Sequence, residues 1–144
     1  MNIASILATK GDKVITIRPQ QSIREALGVL AQHNIGCLVV VDDGRKPVGM
    51  LSERDVVRHA AKNEAVFSLK VSDLMTTSLI LGMPGDDVGA AGSTMVERRI
   101  RHLPVMDSSK LVGIVTIGDI MKAQRDALLG EVDTLQTIVM EQGR

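Results

Sequence analysis

One motif occurs twice in this chain. Residues 35–55 read IGCLVVVDDGRKPVGMLSERD, and residues 100–119 read IRHLPVMDSSKLVGIVTIGD. Each copy holds an apolar run, a short polar turn, and then a glycine, two apolar residues, a hydroxyl residue, two further residues and an aspartate. A unit repeated at this spacing indicates one supersecondary element used twice. We therefore expect the functional site to lie where the two copies meet.

The two copies stay in register except at one turn. Ile100 lies 65 residues after Ile35, whereas Asp119 lies 64 residues after Asp55. The missing residue falls in the turn that spans 42–47 in the first copy, and turns of this Asp-Gly composition tolerate changes in length. Residues on either side of the turn can therefore be compared position by position.

Capping and periodicity signals predict the same order of elements in both copies. Ser22 and Glu25 have capping-box spacing, which begins a helix. The first copy is predicted to contain a helix at about 22–33, strands at 37–41 and 48–51, and a helix from Ser52 to about 62. The second is predicted to contain a strand at 80–81, a helix at about 87–97, strands at 103–106 and 112–115, and a helix from Thr116. The fold class is therefore α/β (α+β), built from two β-α-β-β-α repeats.

The first helix of the second copy is rich in glycine. Gly89 and Gly92 lie within it, and Gly82 and Gly85 precede it. Each glycine inside a helix costs about 1 kcal/mol relative to alanine. One explanation is a close approach of two backbones, and the other is a weak helix that tertiary contacts hold in place.

The chain ends in a long helical segment, at about 120–142. Leu128, Val132, Leu135 and Val139 follow one another at spacings of 4, 3 and 4 residues, which suits packing on another helix. Because this segment extends beyond the repeat, we expect it to form a homodimer contact. The alternative is a tail helix that frays.

Composition excludes several classes of protein. The 17 basic and 17 acidic side chains cancel, and Phe67 is the only aromatic residue, so nucleic acid is a poor candidate for a partner. Apolar runs fall well short of the roughly 20 residues of a membrane span, and no basic-then-apolar leader is present, so we expect a cytoplasmic protein with no membrane partner. The single cysteine, Cys37, is expected to be a buried apolar residue.

The duplicated pattern resembles the CBS domain pair, also called a Bateman module, over about residues 5–125. The resemblance implies a freestanding, noncatalytic regulatory module whose two repeats pack about a pseudo-twofold axis. It also implies two clefts, each able to hold an adenosine-containing ligand such as AMP, ATP, NAD or S-adenosylmethionine, and a client protein that is not identified. We divide the chain into a first repeat with an N-terminal lead-in (1–65), a second repeat (66–125) and a C-terminal helix (126–144).

The second motif copy supplies the first group of candidate binding residues. Thr116, Gly118 and Asp119 begin a helix, where unpaired N–H groups and the helix dipole favour an anion. Asp119 offers acceptor oxygens to ribose hydroxyls, Thr116 can donate to a phosphate, and Gly118 leaves the backbone accessible. Ser52, Arg54 and Asp55 are the equivalent candidates in the first copy. Helix capping alone explains the same S-x-x-D and T-x-x-D patterns.

Positive charge distinguishes the two predicted clefts. In the family, the two residues before the second repeat's hairpin face the phosphates, and here they are Arg101 and His102. The first copy has Gly36 and Cys37 at those positions. We therefore expect unequal clefts, with the Asp119 cleft better suited to a phosphorylated ligand. A solvated helix end accounts for the neighbouring Arg98 and Arg99.

Isoleucines mark the predicted adenine walls by resemblance to the family. Ile15 and Ile35 would line the Asp119 cleft, and Ile80 and Ile100 the Asp55 cleft, although core packing explains the same residues. His33 and His59 have no partners at metal spacing, so neither a metal site nor a catalytic cofactor is expected. The alternative function is a ligand-free structural oligomerisation module.

Overall fold

The computed structural model describes residues 1–142. Its helices are α1 (Ile3–Lys10), α2 (Ile23–His33), α3 (Glu53–Ala60), α4 (Val71–Leu74), α5 (Val88–Arg98) and α6 (Ile117–Gln142), with a 3-10 turn at Val66–Ser68. Its strands are β1 (Thr16–Ile17), β2 (Cys37–Val41), β3 (Pro47–Ser52), β4 (His102–Asp107) and β5 (Lys110–Thr116). The mixed α/β fold with a C-terminal helix is therefore confirmed. Residues 143 and 144 of the predicted C-terminal segment lie outside the described range.

The two hairpins follow the same plan. The first sheet has the order β1-β2-β3, in which β1 is parallel to β2 and β3 is antiparallel to β2. The second sheet pairs β4 with β5 in antiparallel fashion. The register shifts between Val40 and Val41 in one hairpin and between Val105 and Met106 in the other. These positions are 65 residues apart, so the repeat extends to the irregularities of the strands.

The strand predicted at Ile80–Leu81 is wrong. The chain instead makes a single parallel bridge one residue later, where the Gly82 N–H donates to Pro104 O at 2.8 Å and Gly82 O accepts from Met106 N at 2.8 Å. A Cβ atom at Gly82 would lie 2.8 Å from the Leu103 side chain. Glycine therefore permits the approach at this residue.

Local capping signals position the helices. Ser22 caps α2 by accepting from the Glu25 N–H, and Asp87 caps α5 by accepting from the Ala90 N–H at 2.9 Å. Both helices end at a residue in the left-handed conformation, Asn34 at φ 51° and its counterpart Arg99 at φ 56°. The repeat therefore covers the beginnings and the ends of these helices.

The lead-in helices cross between the two halves. Val71 and Leu74 of α4 pack in the cluster of the first repeat, whereas Ile3 and Ile6 of α1 pack in the cluster of the second. Equivalent backbone bonds fix them, with Ile3 N donating to Asp86 O at 2.9 Å and Val71 N to Gln21 O at 2.8 Å. The crossing brings the C-terminal end of α1 against the second repeat. The boundaries drawn at 65 and 125 stay a prediction.

The contact between α5 and α6 explains one glycine of α5. A Cβ atom on Gly92 would lie 2.9 Å from the Ile120 side chain, whereas one on Gly85 would meet nothing within 4 Å. Close packing against a side chain of α6 therefore accounts for Gly92, rather than the expected approach of two backbones. No helix among residues 1–142 combines the length and apolar character needed to cross a bilayer.

Candidate functional site

The Asp119 carboxylate caps the beginning of α6. Its Oδ2 accepts from the Thr116 N–H at 2.9 Å, and the Asp119 N–H donates to Thr116 Oγ1 at 3.0 Å. Both side chains are half-buried at the junction of β5 and α6. The capping alternative is therefore present in the structure.

The Asp55 carboxylate caps α3 in the same way. Its Oδ2 accepts from the Ser52 N–H at 3.0 Å and from Ser52 Oγ at 3.0 Å, and the Asp55 N–H lies 3.2 Å from Ser52 Oγ. This reciprocal pattern is a complete capping box. The two motif copies therefore perform one backbone task at equivalent places.

Capping leaves one oxygen of each carboxylate available. Among the side chains of residues 1–140 and the backbone of residues 1–142, every donor to these two aspartates reaches Oδ2, and none reaches Oδ1. A carboxylate has about four lone-pair sites, so it can finish a helix and still accept hydroxyl groups. Helix capping and ribose binding are therefore compatible functions of Asp55 and Asp119.

Lys10 is a neighbour of Asp119 that the sequence did not reveal. Its Nζ lies 2.6 Å from Asp119 Oδ2 and donates to Ile114 O at 3.0 Å. The two charged side chains are 32% and 25% exposed, and ion pairs open to solvent typically contribute about 0–1 kcal/mol. The interaction therefore shapes the site more than it stabilises the fold. No local motif could have indicated it, because the two residues are 109 positions apart.

Positive charge surrounds the Asp119 carboxylate. Burial raises the pKa of Asp119, but the hydrogen bonds from Lys10 and from the Thr116 N–H, with the Lys10 charge, outweigh it and leave the pKa below its ordinary value of 3.8. Burial also lowers the pKa of His102 from 6.5, and the charges of Arg101 and Lys10 lower it further while Asp119 opposes them. The charged or titratable side chains of Lys10, Arg101, His102 and Asp119 therefore form one electrostatic cluster.

The backbone places the predicted phosphate-facing pair beside the motif. His102 lies opposite Thr116 in the β4-β5 ladder, and the Ile117 N–H donates to Arg101 O at 3.0 Å. Arg101 is exposed and His102 is half-buried. The structure thus brings Arg101, His102, Thr116 and Asp119 to one end of the second hairpin.

The corresponding end of the first hairpin carries different chemistry. Cys37 occupies the position equivalent to His102, and burial followed by the negative charge of Asp55 raises the pKa of its thiol to about 12. The neutral, buried thiol confirms the interpretation of Cys37. At Gly36, a Cβ atom would lie 3.2 Å from Glu53 Oε1, so a second carboxylate stands beside this site. Arg54 is exposed on the first turn of α3.

The four predicted adenine-wall residues lie beside the cores. Ile15 and Ile35 are half-buried and pack against the first hydrophobic cluster, and Ile80 and Ile100 do the same against the second. The core-packing explanation therefore holds for all four. Their contact with a ligand stays a prediction.

A cavity of about 370 Å³ lies between α1 and α6 on the Lys10 side of Asp119. Thr9 and Lys122 also line it, whereas the four isoleucines do not. A larger cavity of about 470 Å³ between α5 and α6 contains none of the predicted binding residues. Gly118 is exposed, and a Cβ atom there would meet only Thr116 Oγ1, at 3.6 Å. The space beside Gly118 is therefore open to a ligand.

Comparison with known proteins identifies the repeated unit. The CBS domain model matches residues 4–62 and again residues 71–126. CBS domain-containing protein YhcV of Bacillus subtilis is 36% identical over 118 residues, which cover 82% of this chain and 84% of that protein.

Solved structures agree in fold. The CBS-domain containing protein ATU1752 from Agrobacterium tumefaciens superposes with a TM-score of 0.82 at 34% identity, over 86% of this chain and 99% of that one. The CBS domain pair of protein MJ0100, solved in complex with 5′-methylthioadenosine and S-adenosyl-L-methionine, has a TM-score of 0.77 at 29% identity, over 88% of this chain and 98% of that one. Because the family model matches both motif copies, the chain belongs to the CBS domain family.

Proposed function

We propose that this chain is a noncatalytic regulatory module that binds an adenine nucleotide, of the AMP, ATP or NAD type, in the clefts between its two repeats. The observation that carries the proposal is the unused Oδ1 on both motif aspartates, since Oδ2 alone receives the capping bonds. Each Oδ1 would accept a ribose hydroxyl. Hydrogen bonds to a charged acceptor are each worth about 1.5–3 kcal/mol.

The relative MJ0100 supports the class of ligand. Its CBS pair was solved with 5′-methylthioadenosine and S-adenosyl-L-methionine, two molecules that share an adenosine. A preference for a phosphorylated ligand is our inference from the cations beside Asp119. Lys10, Arg101 and His102 would face a phosphate there. In the first copy, the Glu53 carboxylate stands beside Gly36, the position equivalent to Arg101.

Each candidate residue has a proposed task in its cleft. Asp119 and Asp55 hold the ribose, Thr116 and Ser52 donate to the ligand from the helix starts, and Gly118 leaves room for close approach. Arg54, Arg101 and His102 meet phosphate oxygens. The isoleucines at 15, 35, 80 and 100 flank the adenine, whose polar edge would bond to backbone groups.

The crossing of the lead-in helices suggests how binding would be transmitted. Because α1 packs on the second repeat and α4 on the first, a ligand that bridges the repeats would shift both helices. A ligand changes such an equilibrium only through its different affinity for the two arrangements. The client that responds is a further partner, and we propose no catalytic step.

Thermal unfolding tests the proposal directly. Purified protein would be melted alone and with AMP, ATP, NAD, S-adenosylmethionine and 5′-methylthioadenosine. A ligand at 100 times its dissociation constant stabilises the native state by about 2.7 kcal/mol, which should raise the Tm of a domain of this size by several degrees. Absence of a shift with all five, together with absence of binding heat, would contradict the proposal.

A second candidate function rests on α6. Leu128, Val132, Leu135 and Val139 are between 47% and 67% exposed, so the predicted seam is free to meet another helix. This observation favours a structural oligomerisation module, and a homodimer is compatible with both functions. Light scattering on the full chain and on a chain truncated after Asp126 would separate them. Dimers that need the seam, in a protein that binds no adenylate, would favour the structural function. The cytoplasmic location stays a prediction.

A further inference from the structure

Lys10 occupies a turn of helix that the other repeat lacks. The lead-in helices begin equivalently, since Val88 N donates to Met1 O at 3.1 Å and Ile23 N to Leu69 O at 2.8 Å. Helix α4 then ends at Leu74, whereas α1 continues to Lys10. The first motif site therefore receives no lysine from its own lead-in helix.

The Lys10 ammonium has one more N–H donor than the acceptors that hold it. An ammonium has three N–H donors. In the described part of the chain, the Lys10 ammonium meets two acceptors, Asp119 Oδ2 and Ile114 O. Its third donor is thus available at the carboxylate whose Oδ1 is also without a protein partner. A ligand that places a hydroxyl on Oδ1 would meet both groups without breaking the ion pair.

Positive charge lies close to the Asp119 site. Lys10 bonds the Asp119 carboxylate, and the charges of Lys10 and Arg101 both lower the pKa of His102. The α1-α6 cavity of about 370 Å³ adds no net charge to this site, because the Asp126 carboxylate lines it as well as the Lys122 ammonium. The charges of Lys10 and Arg101 would stabilise a phosphate placed beside Asp119.

We propose that Lys10 is a specificity-determining residue, which makes the Asp119 cleft prefer phosphorylated adenosyl ligands over adenosyl ligands without a phosphate. This inference rests on the proposed function, because it assigns a selective contact within the same cleft. Asp119 holds the ribose, and the Lys10 ammonium donates to the phosphate carried by that sugar.

The test compares AMP with adenosine, since the two differ only in the phosphate. Calorimetric titrations would use the full chain, Lys10→Met and Lys110→Met. The methionine at position 10 keeps the aliphatic stem and removes the charge. Lys110 is exposed at the start of β5, at the opposite end of the hairpin from Thr116, so its variant loses the same charge at a distance.

We expect Lys10→Met to weaken AMP binding about tenfold while adenosine binding changes less than about twofold. Lys110→Met should leave both affinities unchanged, and Lys10→Arg should keep the preference for AMP. Equal losses for AMP and adenosine would show that Lys10 only supports the fold of the site, and unchanged AMP binding would also overturn the inference. Failure of the unmodified chain to bind AMP, adenosine, ATP or NAD would instead overturn the proposed function itself.

Discussion

The two motif sites have the same backbone design and different surroundings. Asp55 and Asp119 cap their helices through Oδ2, and no donor in the described part of the chain reaches Oδ1. The Asp55 site has a buried neutral thiol, the exposed Arg54, and the Glu53 carboxylate beside Gly36, whereas Asp119 has Lys10 bound to it. The motif therefore supplies a carboxylate in a fixed place, and elements from outside the motif set the charge around it.

The difference arises where the repeat itself is interrupted. The lead-in helices are equivalent at their first turn, and only α1 makes a second. In the first half, the chain leaves α4 in extended form, and Thr76 N donates to Met50 O at 2.9 Å. In the first half, the backbone N–H of Thr76 therefore donates to β3, whereas in the second half the Lys10 side chain donates to β5 through Ile114 O.

The largest expected difference between the two sites is in nucleotide affinity. Asp119→Asn and Asp55→Asn both keep an amide oxygen that can cap the helix and both remove the charge. We expect Asp119→Asn to weaken AMP binding at least tenfold, from the loss of a charge-assisted bond, and Asp55→Asn to weaken it much less. Titration calorimetry measures both. Equal losses would show that the charge difference between the sites does not govern binding.

A matched pair of glycines tests the packing of the two halves. A Cβ atom on Gly28 of α2 would meet nothing within 4 Å, whereas one on Gly92 of α5 would lie 2.9 Å from Ile120. We expect Gly28→Ala to stabilise the protein by about 0.5–1 kcal/mol, from helix propensity alone. Gly92→Ala should lose that gain to steric overlap and destabilise the protein. Urea unfolding compares the two, and equal stabilisation would show that α5 and α6 are not closely packed.

Gly118 tests whether the open surface of the Asp119 site is used. An alanine there would make ordinary contact with Thr116 Oγ1 at 3.6 Å, so the folded protein should accept Gly118→Ala without loss of Tm. If a ligand approaches this backbone, the added methyl group should weaken AMP binding severalfold. Calorimetry on this variant, with Gly28→Ala as the control, checks the expectation. Unchanged AMP affinity would place the ligand away from Gly118.

Local signals predicted the parts of the site that local structure builds. Ser52, Asp55, Thr116 and Asp119 lie within one helical turn of each other in pairs, so sequence spacing fixes their geometry. Gly82 shows the limit of such signals, because its backbone bridges to β4 where a side chain would overlap Leu103, and strand propensity does not describe that constraint. The structure has this single bridge at Gly82 in place of the strand predicted at Ile80–Leu81.

Lys10 could not have been predicted by the same means. Its meeting with Asp119 depends on α1 packing on the second repeat through Ile3 and Ile6, and nothing in residues 1–10 specifies that partner.

The smallest expected effect is a proton taken up on binding at one site. The lowered pKa of His102 means that folding favours the neutral imidazole, so this residue stabilises the fold above pH 6.5 and loses that contribution as the pH falls below it. A phosphate beside His102 would favour the charged form and raise its pKa again. The AMP phosphate also titrates at about pH 6, so the expected signal is a difference: just below pH 6.5, AMP binding should take up a larger fraction of a proton in the unmodified chain than in His102→Asn. Calorimetry in two buffers of different ionisation enthalpy measures both. Cys37 stands at the equivalent position and, with a pKa of about 12, does not titrate in this range. Equal proton exchange in the two proteins would assign it to another group and remove this distinction between the two sites.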